Sequence, residues 1–151
     1  MNKNNIVITS AVRTAVGSLN KSLKNIPSHE LGSAVITEAI KKSNLAKEDI
    51  DEIVMGQVLT GGTGQNPARQ ASIGSGIPKE KSAYLVNQVC GSGIRSVASG
   101  FQSIKSGDSK IVIAGGQESM SLAPHAIHLR DGKKLGNIEM TDTMIKDGLW
   151  D

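Results

Sequence analysis

Aromatic residues are almost missing from this sequence of 151 residues: Tyr84, Phe101 and Trp150 make up the 2%. A buried core must therefore be aliphatic, built from Ile, Val, Leu, Met and Ala. A hydrophobic content of 38%, spread through the chain, makes such a core feasible in one domain, or in one domain plus the start of another. Charge of either sign is nowhere concentrated. The net charge is +3, and lysines are scattered apart from Lys41-Lys42 and Lys133-Lys134. With so small a net charge and so few aromatics to stack on bases, the lysines read as ordinary solvated residues and nucleic acid is not an expected partner. Cys90 is the one cysteine, so no internal disulfide forms and nothing points to an oxidising compartment. No apolar run is long enough to span a membrane, and Met1 to Asn5 holds no apolar signal core. The expectation is a cytoplasmic protein.

Glycine, by contrast, is plentiful, with 17 residues. These glycines cluster with short apolar runs, which argues against a disordered chain. Ile6-Val7-Ile8 is a β-branched run that reads as a first strand. Pro27-Ser28 predicts a helix start with Ser28 as N-cap, and Leu31, Ala34, Val35 and Ala39 fall at helical spacing. Lys41 and Lys42 suit the last turn of that helix, and Asn44 its stop. Residues 53–59 read as a second strand, followed by the loop Gly61 to Gly64. Asn66 and Pro67 then predict a capped helix start, with a small-residue face at Ala68, Ala71 and Ser72 and an end at Gly74 or Gly76.

Residues 84–89 read as a third strand, and Cys90-Gly91-Ser92-Gly93 as a tight turn. Ile94, Val97, Ala98, Phe101 and Ile104 mark a helix stripe that Gly107-Asp108 breaks. Ile111 to Ala114 reads as a fourth strand. Strands alternating with helices predict an α/β domain with a mostly parallel sheet. From Ser119 to Asp151 the chain has no clean strand or long helix and reads as a loop-rich unit. The expected division is residues 1–118 for the α/β domain and 119–151 for the beginning of a second one.

Cys90 is the most informative position for chemistry. It sits where a strand should end and a helix begin, and open α/β sheets bind ligands at the carboxyl ends of their strands. A helix N-terminus offers free N–H groups and favours a thiolate, which is the nucleophilic form of cysteine. Gly91 and Gly93 allow close approach to the backbone. The Cys90 N–H is placed to stabilise an oxyanion on an attached thioester. The competing reading is a buried structural cysteine. Other candidates are weaker. The Gly62-x-Gly64 turn has Pro67 where a dinucleotide fingerprint needs glycine, and no GxxxxGK[ST] occurs, so a structural turn is favoured. His29, His125 and His128 lack metal-ligand spacing, and no metal is expected. No serine sits in a G-x-S-x-G elbow.

The run Asn87-Gln88-Val89-Cys90-Gly91-Ser92-Gly93-Ile94-Arg95-Ser96 resembles the nucleophile motif of thiolases. Ser10 to Gly17 resembles the family's first strand and turn, and Gly64 to Gln70 its second-helix entry. Ala114 to Ser121, with Ala123-Pro124-His125, resembles the junction into its loop domain. Asp142 to Leu149 resembles a later stretch of that domain. The resemblance covers essentially the whole chain. Cys-Gly-Ser-Gly-x-Arg is closer to the short-chain, biosynthetic acetoacetyl-CoA type than to the long-chain degradative type. Gln117 departs from the methionine usual at its place. The similar length of the two side chains implies little effect beyond packing.

The resemblance implies a thiolase-like fold, here the N-terminal βαβαβαβ half-domain plus the start of the loop domain. It implies an acyltransferase of the acetyl-CoA C-acetyltransferase type. Cys90 would take an acetyl group from acetyl-CoA, and a second acetyl-CoA would then be condensed onto it to give acetoacetyl-CoA and CoA. The reverse reaction is thiolysis. Coenzyme A thioesters are substrates, and no resident cofactor is implied. Leu149 matches an apolar position beside the pantetheine arm, and His125 is read as structural. Arg69 and Gln65 match a segment near a dimer interface, which implies a homo-oligomer, a dimer or tetramer, for the complete protein.

The family also uses a histidine in a Gly-His-Pro motif and a second cysteine, both towards its C-terminus. Neither occurs in these 151 residues. The expectation is therefore a partial sequence, inactive alone and prone to aggregate through surfaces meant to be covered. The rivals are a β-ketoacyl synthase or a hydroxymethylglutaryl-CoA synthase, whose residues around the cysteine differ, and a non-catalytic truncated product.

Overall fold

The computed structural model describes residues 5–151. Its centre is a parallel sheet of three strands in the order β2-β1-β3, with β1 at Glu52–Gly56, β2 at Ser82–Val86 and β3 at Val112–Gly116. Glu52 aligns with Ser82 on one side of β1 and with Val112 on the other. Helix α1 spans Ser28–Ser43, α2 Pro67–Gly74 and α3 Ser92–Ser106. The crossover through α2 moves from β1 to one side, and the crossover through α3 moves back past β1 to the other. Parallel crossovers are right-handed, so α2 and α3 must lie on opposite faces. Every residue of β1 after Glu52 is buried, as expected for a central strand covered on both faces.

The main core lies between the sheet and the α1–α2 layer. Ile36 and Ile40 of α1 meet Ile53 and Met55 of β1, Ala68 and Ala71 of α2, and Ile50 and Ile77. It contains no aromatic residue, as the composition requires. Tyr84, Phe101 and Trp150 are all exposed.

Local signals placed the ends of several elements. Asn66 accepts the Arg69 N–H at 3.2 Å through its side chain, with Pro67 in the first helical turn. Asn44 ends α1 in the left-handed conformation, φ 55°. The start of α1 differs from the expectation. Pro27 is the capping residue, and the Ser28 hydroxyl is buried without a partner. The proline ring carries no oxygen to accept a helix N–H, so no side-chain cap forms.

Two helix faces also differ. The buried stripe of α1 is Ser28, Gly32, Ile36 and Ile40, while Ala34 is exposed, because small residues let α1 pack closely on α2. In α3 the buried stripe is Ser92, Ser96 and Gly100. The apolar stripe points outward, with Ile94 73% and Phe101 52% exposed. A Cβ added at Gly100 would stand 3.0 Å from the Val112 side chain, so this helix approaches the sheet too closely for large residues. The observed strands also run 52–56, 82–86 and 112–116, a little off the expected spans.

Ile6-Val7-Ile8 forms no strand, and Val7 and Ile8 are exposed. A strand keeps its form through a neighbour's hydrogen-bond ladder, and no strand among the described residues lies beside this run. After β3 come a short turn at Met120–Leu122, a hairpin pairing β4, His125–Ala126, with β5, Thr141–Asp142, and a π-helical turn at Met144–Leu149. This segment is tied to the rest by Ser119 Oγ donating to the Ile26 carbonyl at 2.8 Å and by the Asn20 N–H donating to Ser121 Oγ at 2.9 Å. Among the described residues, no helix is long and apolar enough to cross a membrane.

Candidate functional site

The three strands point their carboxyl ends the same way, and the chain leaving each one enters a single cleft of about 430 Å3. Gln57, Val58 and Leu59 come from the exit of β1. Val89, Cys90, Ser92 and Gly93 come from beyond β2 and the start of α3. Gln117 and Glu118 come from the exit of β3. Met120, and Gly148 and Leu149 of the π-helical turn, also line it. This is where an open parallel sheet offers a ligand site.

Cys90 is exposed and stands just before α3, whose capping residue is Gly91. It is not buried among aliphatic side chains. The turn that carries it is strained and braced. Val89 has φ 48°, a left-handed conformation that costs a β-branched residue about 1–3 kcal/mol. Ser92 is the brace: its Oγ accepts the Gln88 N–H at 2.8 Å and donates to the Val89 carbonyl at 2.6 Å. Asn87 Oδ1 accepts the Val89 N–H at 2.9 Å. The start of α3 reaches this place because Gly56 has no side chain. A Cβ at Gly56 would lie 2.5 Å from the Ser92 backbone.

Leu149 lines the same cleft as Cys90 and is 61% exposed. The other singled-out residues lie elsewhere. His125 faces Asp142 across the small hairpin, with 3.8 Å between Nε2 and Oδ2. Arg69 donates to the carbonyls of Lys81 at 2.7 Å and Lys79 at 2.6 Å, which ties α2 to the approach to β2. The Gly61 to Gly64 loop is a turn held by Gln70, whose Nε2 donates to the Thr63 carbonyl at 2.8 Å. Among the described residues, no three His, Cys, Asp or Glu side chains converge as a metal site would require.

Sequence reasoning passed over Glu118 and Gln57. The Glu118 carboxylate accepts the Val58 N–H at 2.8 Å and the Leu59 N–H at 3.2 Å. Burial pushes its pKa up, and those two N–H groups partly offset the rise. Gln57 is almost fully buried and donates to the Leu59 carbonyl at 2.8 Å. Gln117, also buried, donates to Gln57 Oε1 at 2.9 Å. A signal was available: Gln57 and Gln117 directly follow the ends of β1 and β3, and Glu118 is the next residue along.

The model of the family "Thiolase, N-terminal domain" matches residues 6–151. The chain belongs to the thiolase family. It is 54% identical over 151 residues to acetyl-CoA acetyltransferase of Rhizobium meliloti, covering 100% of this chain and 38% of that one. It is 49% identical over 146 residues to cytosolic acetyl-CoA acetyltransferase of Rattus norvegicus, covering 97% of this chain and 37% of that one. The chain thus spans little more than a third of the length of these thiolases. Among solved structures, Acat5 thiolase from Ascaris suum in complex with coenzyme A superposes with a TM-score of 0.90 at 41% identity, over 93% of this chain and 37% of that one. The fold is therefore the thiolase α/β fold.

Proposed function

We propose that Cys90 is the acyl-accepting nucleophile of an acetyl-CoA C-acetyltransferase, and that these 151 residues supply it without the rest of the machinery. One observation carries the reading. In a chain of this family, an exposed thiol stands in front of a helix in the cleft where three parallel strands end. In the proposed step the Cys90 sulfur attacks the carbonyl carbon of acetyl-CoA. A sulfur–carbon bond forms to Cys90, the bond to the CoA sulfur breaks, and CoA leaves as a thiolate that takes up a proton. The Cys90 N–H is the proposed donor to the oxyanion that forms on the way.

In the condensation, a second acetyl-CoA loses an α-proton. Its carbanion attacks the acetyl carbon, acetoacetyl-CoA departs, and the Cys90 thiolate is regenerated. Thiolysis is the same path reversed. Coenzyme A thioesters enter as substrates, and Leu149 is proposed to contact the pantetheine arm. The groups that move protons would be the histidine of a Gly-His-Pro motif and a second cysteine. Neither is present in these residues, and no histidine lines the cleft. The chain alone is therefore proposed not to turn over. Residues 1–118 would form the α/β domain and 119–151 the start of the loop domain. A cytoplasmic homo-oligomer is proposed for a protein of the relatives' length.

The reading is tested by alkylating the chain with iodoacetamide, with and without CoA, and mapping the modified peptide. Protection of Cys90 by CoA is expected. Equal rates with and without CoA contradict it.

A further inference from the structure

Residues 57–59 follow β1 without regular structure, yet four side-chain hydrogen bonds hold them. The Glu118 carboxylate accepts both the Val58 and the Leu59 N–H. Gln57 Nε2 donates to the Leu59 carbonyl, and Gln117 Nε2 holds the Gln57 amide from behind. The main chain is tied as well, since the Gln117 N–H donates to the Gly56 carbonyl at 2.9 Å. The exits of β1 and β3 are thus locked together just past the sheet. Leu59 passes the constraint on. A Cβ at Gly148 would lie 3.2 Å from the Leu59 side chain, so the 148–149 turn sits directly on it.

We propose that Glu118, backed by Gln57 and Gln117, is a positioning residue. It fixes the Val58–Leu59 wall and, through Leu59, the Gly148–Leu149 turn, so that the tail of a thioester lies along this wall while its acyl end meets Cys90. This inference rests on the acyl-transfer reading. Glu118 touches no reacting atom in this role and acts through the backbone it holds. Glu118 and Cys90 are the two titratable side chains lining the cleft, and the groups bearing on the Glu118 carboxylate are its own burial and the two N–H donors.

The test compares two electrophiles at Cys90: iodoacetamide and S-bromoacetyl-pantetheine. With each, the sulfur displaces halide, one carbon–sulfur bond forming as the carbon–halogen bond breaks. Both need the thiolate, so its population cancels in the ratio of their rates. The wild-type ratio should exceed that of a short cysteine peptide. Glu118→Ala should lower it about tenfold or more, since small misplacements of a bound reactant cost that much. The wild-type ratio should also fall as pH drops from neutral into the acid range, because a protonated carboxyl no longer accepts both N–H groups. Glu118→Gln should give a low ratio that is flat with pH.

Should Glu118→Ala fail to fold by circular dichroism, Glu118→Gln and the wild-type pH profile decide. Gln117→Met, which leaves both Glu118 bonds intact, should give a smaller loss in the same direction. A wild-type ratio above the peptide's that both Glu118 variants retain overturns the inference alone. A wild-type ratio equal to the peptide's overturns the acyl-transfer reading and the inference with it.

Discussion

Ser92 Oγ donates to the Val89 carbonyl at 2.6 Å and so holds the one β-branched residue of the Cys90 turn in a left-handed conformation, φ 48°. The same oxygen accepts the Gln88 N–H, so one hydroxyl braces both sides of the strained peptide. Strain of this kind persists only where the surroundings over-determine it. Here it turns the chain sharply out of β2 and leaves the thiol exposed at the mouth of the cleft.

Ser92→Ala should therefore cost about 1–2 kcal/mol, since it leaves the Gln88 N–H without its acceptor. Urea unfolding would show the loss as a lower midpoint at an unchanged slope. Alkylation of Cys90 should lose its protection by CoA in the same variant. A variant as stable as the parent would show that the turn does not depend on this hydroxyl.

The two faces of α3 give a second test. Ile94 is 73% exposed and Ile53 is fully buried. Ile94→Ala should change the stability of this chain by no more than about 0.5 kcal/mol. Ile53→Ala should cost about 2–5 kcal/mol, because it opens a cavity in a packed core. Comparable losses from the two would mean that the apolar stripe of α3, and not its small-residue stripe, faces the sheet.

Asp51 predicts a pH dependence. Its carboxylate accepts the Lys110 N–H at 2.7 Å and the Ile111 N–H at 3.1 Å, and these bonds hold its pKa below the usual aspartate value. Lys81 adds a weak attraction at 3.9 Å. A carboxyl whose pKa is lower in the folded state contributes stability above its unfolded pKa. That contribution is lost as pH falls through the folded value. Asp51→Asn should therefore destabilise the protein at neutral pH, and the difference from the parent should shrink at the most acid pH. A difference that does not change with pH would contradict the assignment. The group is partly exposed, so the effect should be modest and reduced by salt.

Local chemistry was the legible part of this chain. Asn44 ending a helix and Asn66 with Pro67 starting one act within a few positions, and both lie where the sequence points. Faces were less legible. The spacing of Ile94, Val97 and Phe101 reports a stripe but not what it meets, whereas Ser92, Ser96 and Gly100 meet the sheet because only small residues fit there. Ile6-Val7-Ile8 shows the same gap, since β propensity makes no strand without a neighbour to pair with. The clamp of Glu118 on Val58 and Leu59 joins residues about 60 positions apart, a link that no local pattern encodes. At Val89, the residue type gives no hint of positive φ. The position of Cys90 was legible because strand, glycine-bounded turn and helix follow one another without a break.

The most direct test is to incubate the chain with acetyl-CoA and locate any acetyl group by peptide mass spectrometry. Thiol–thioester exchange at the cleft should place a hydroxylamine-labile acetyl group on Cys90 and release free CoA, and Cys90→Ser should abolish the labile product. Acetyl groups on lysines alone, with Cys90 unmodified, would contradict the account.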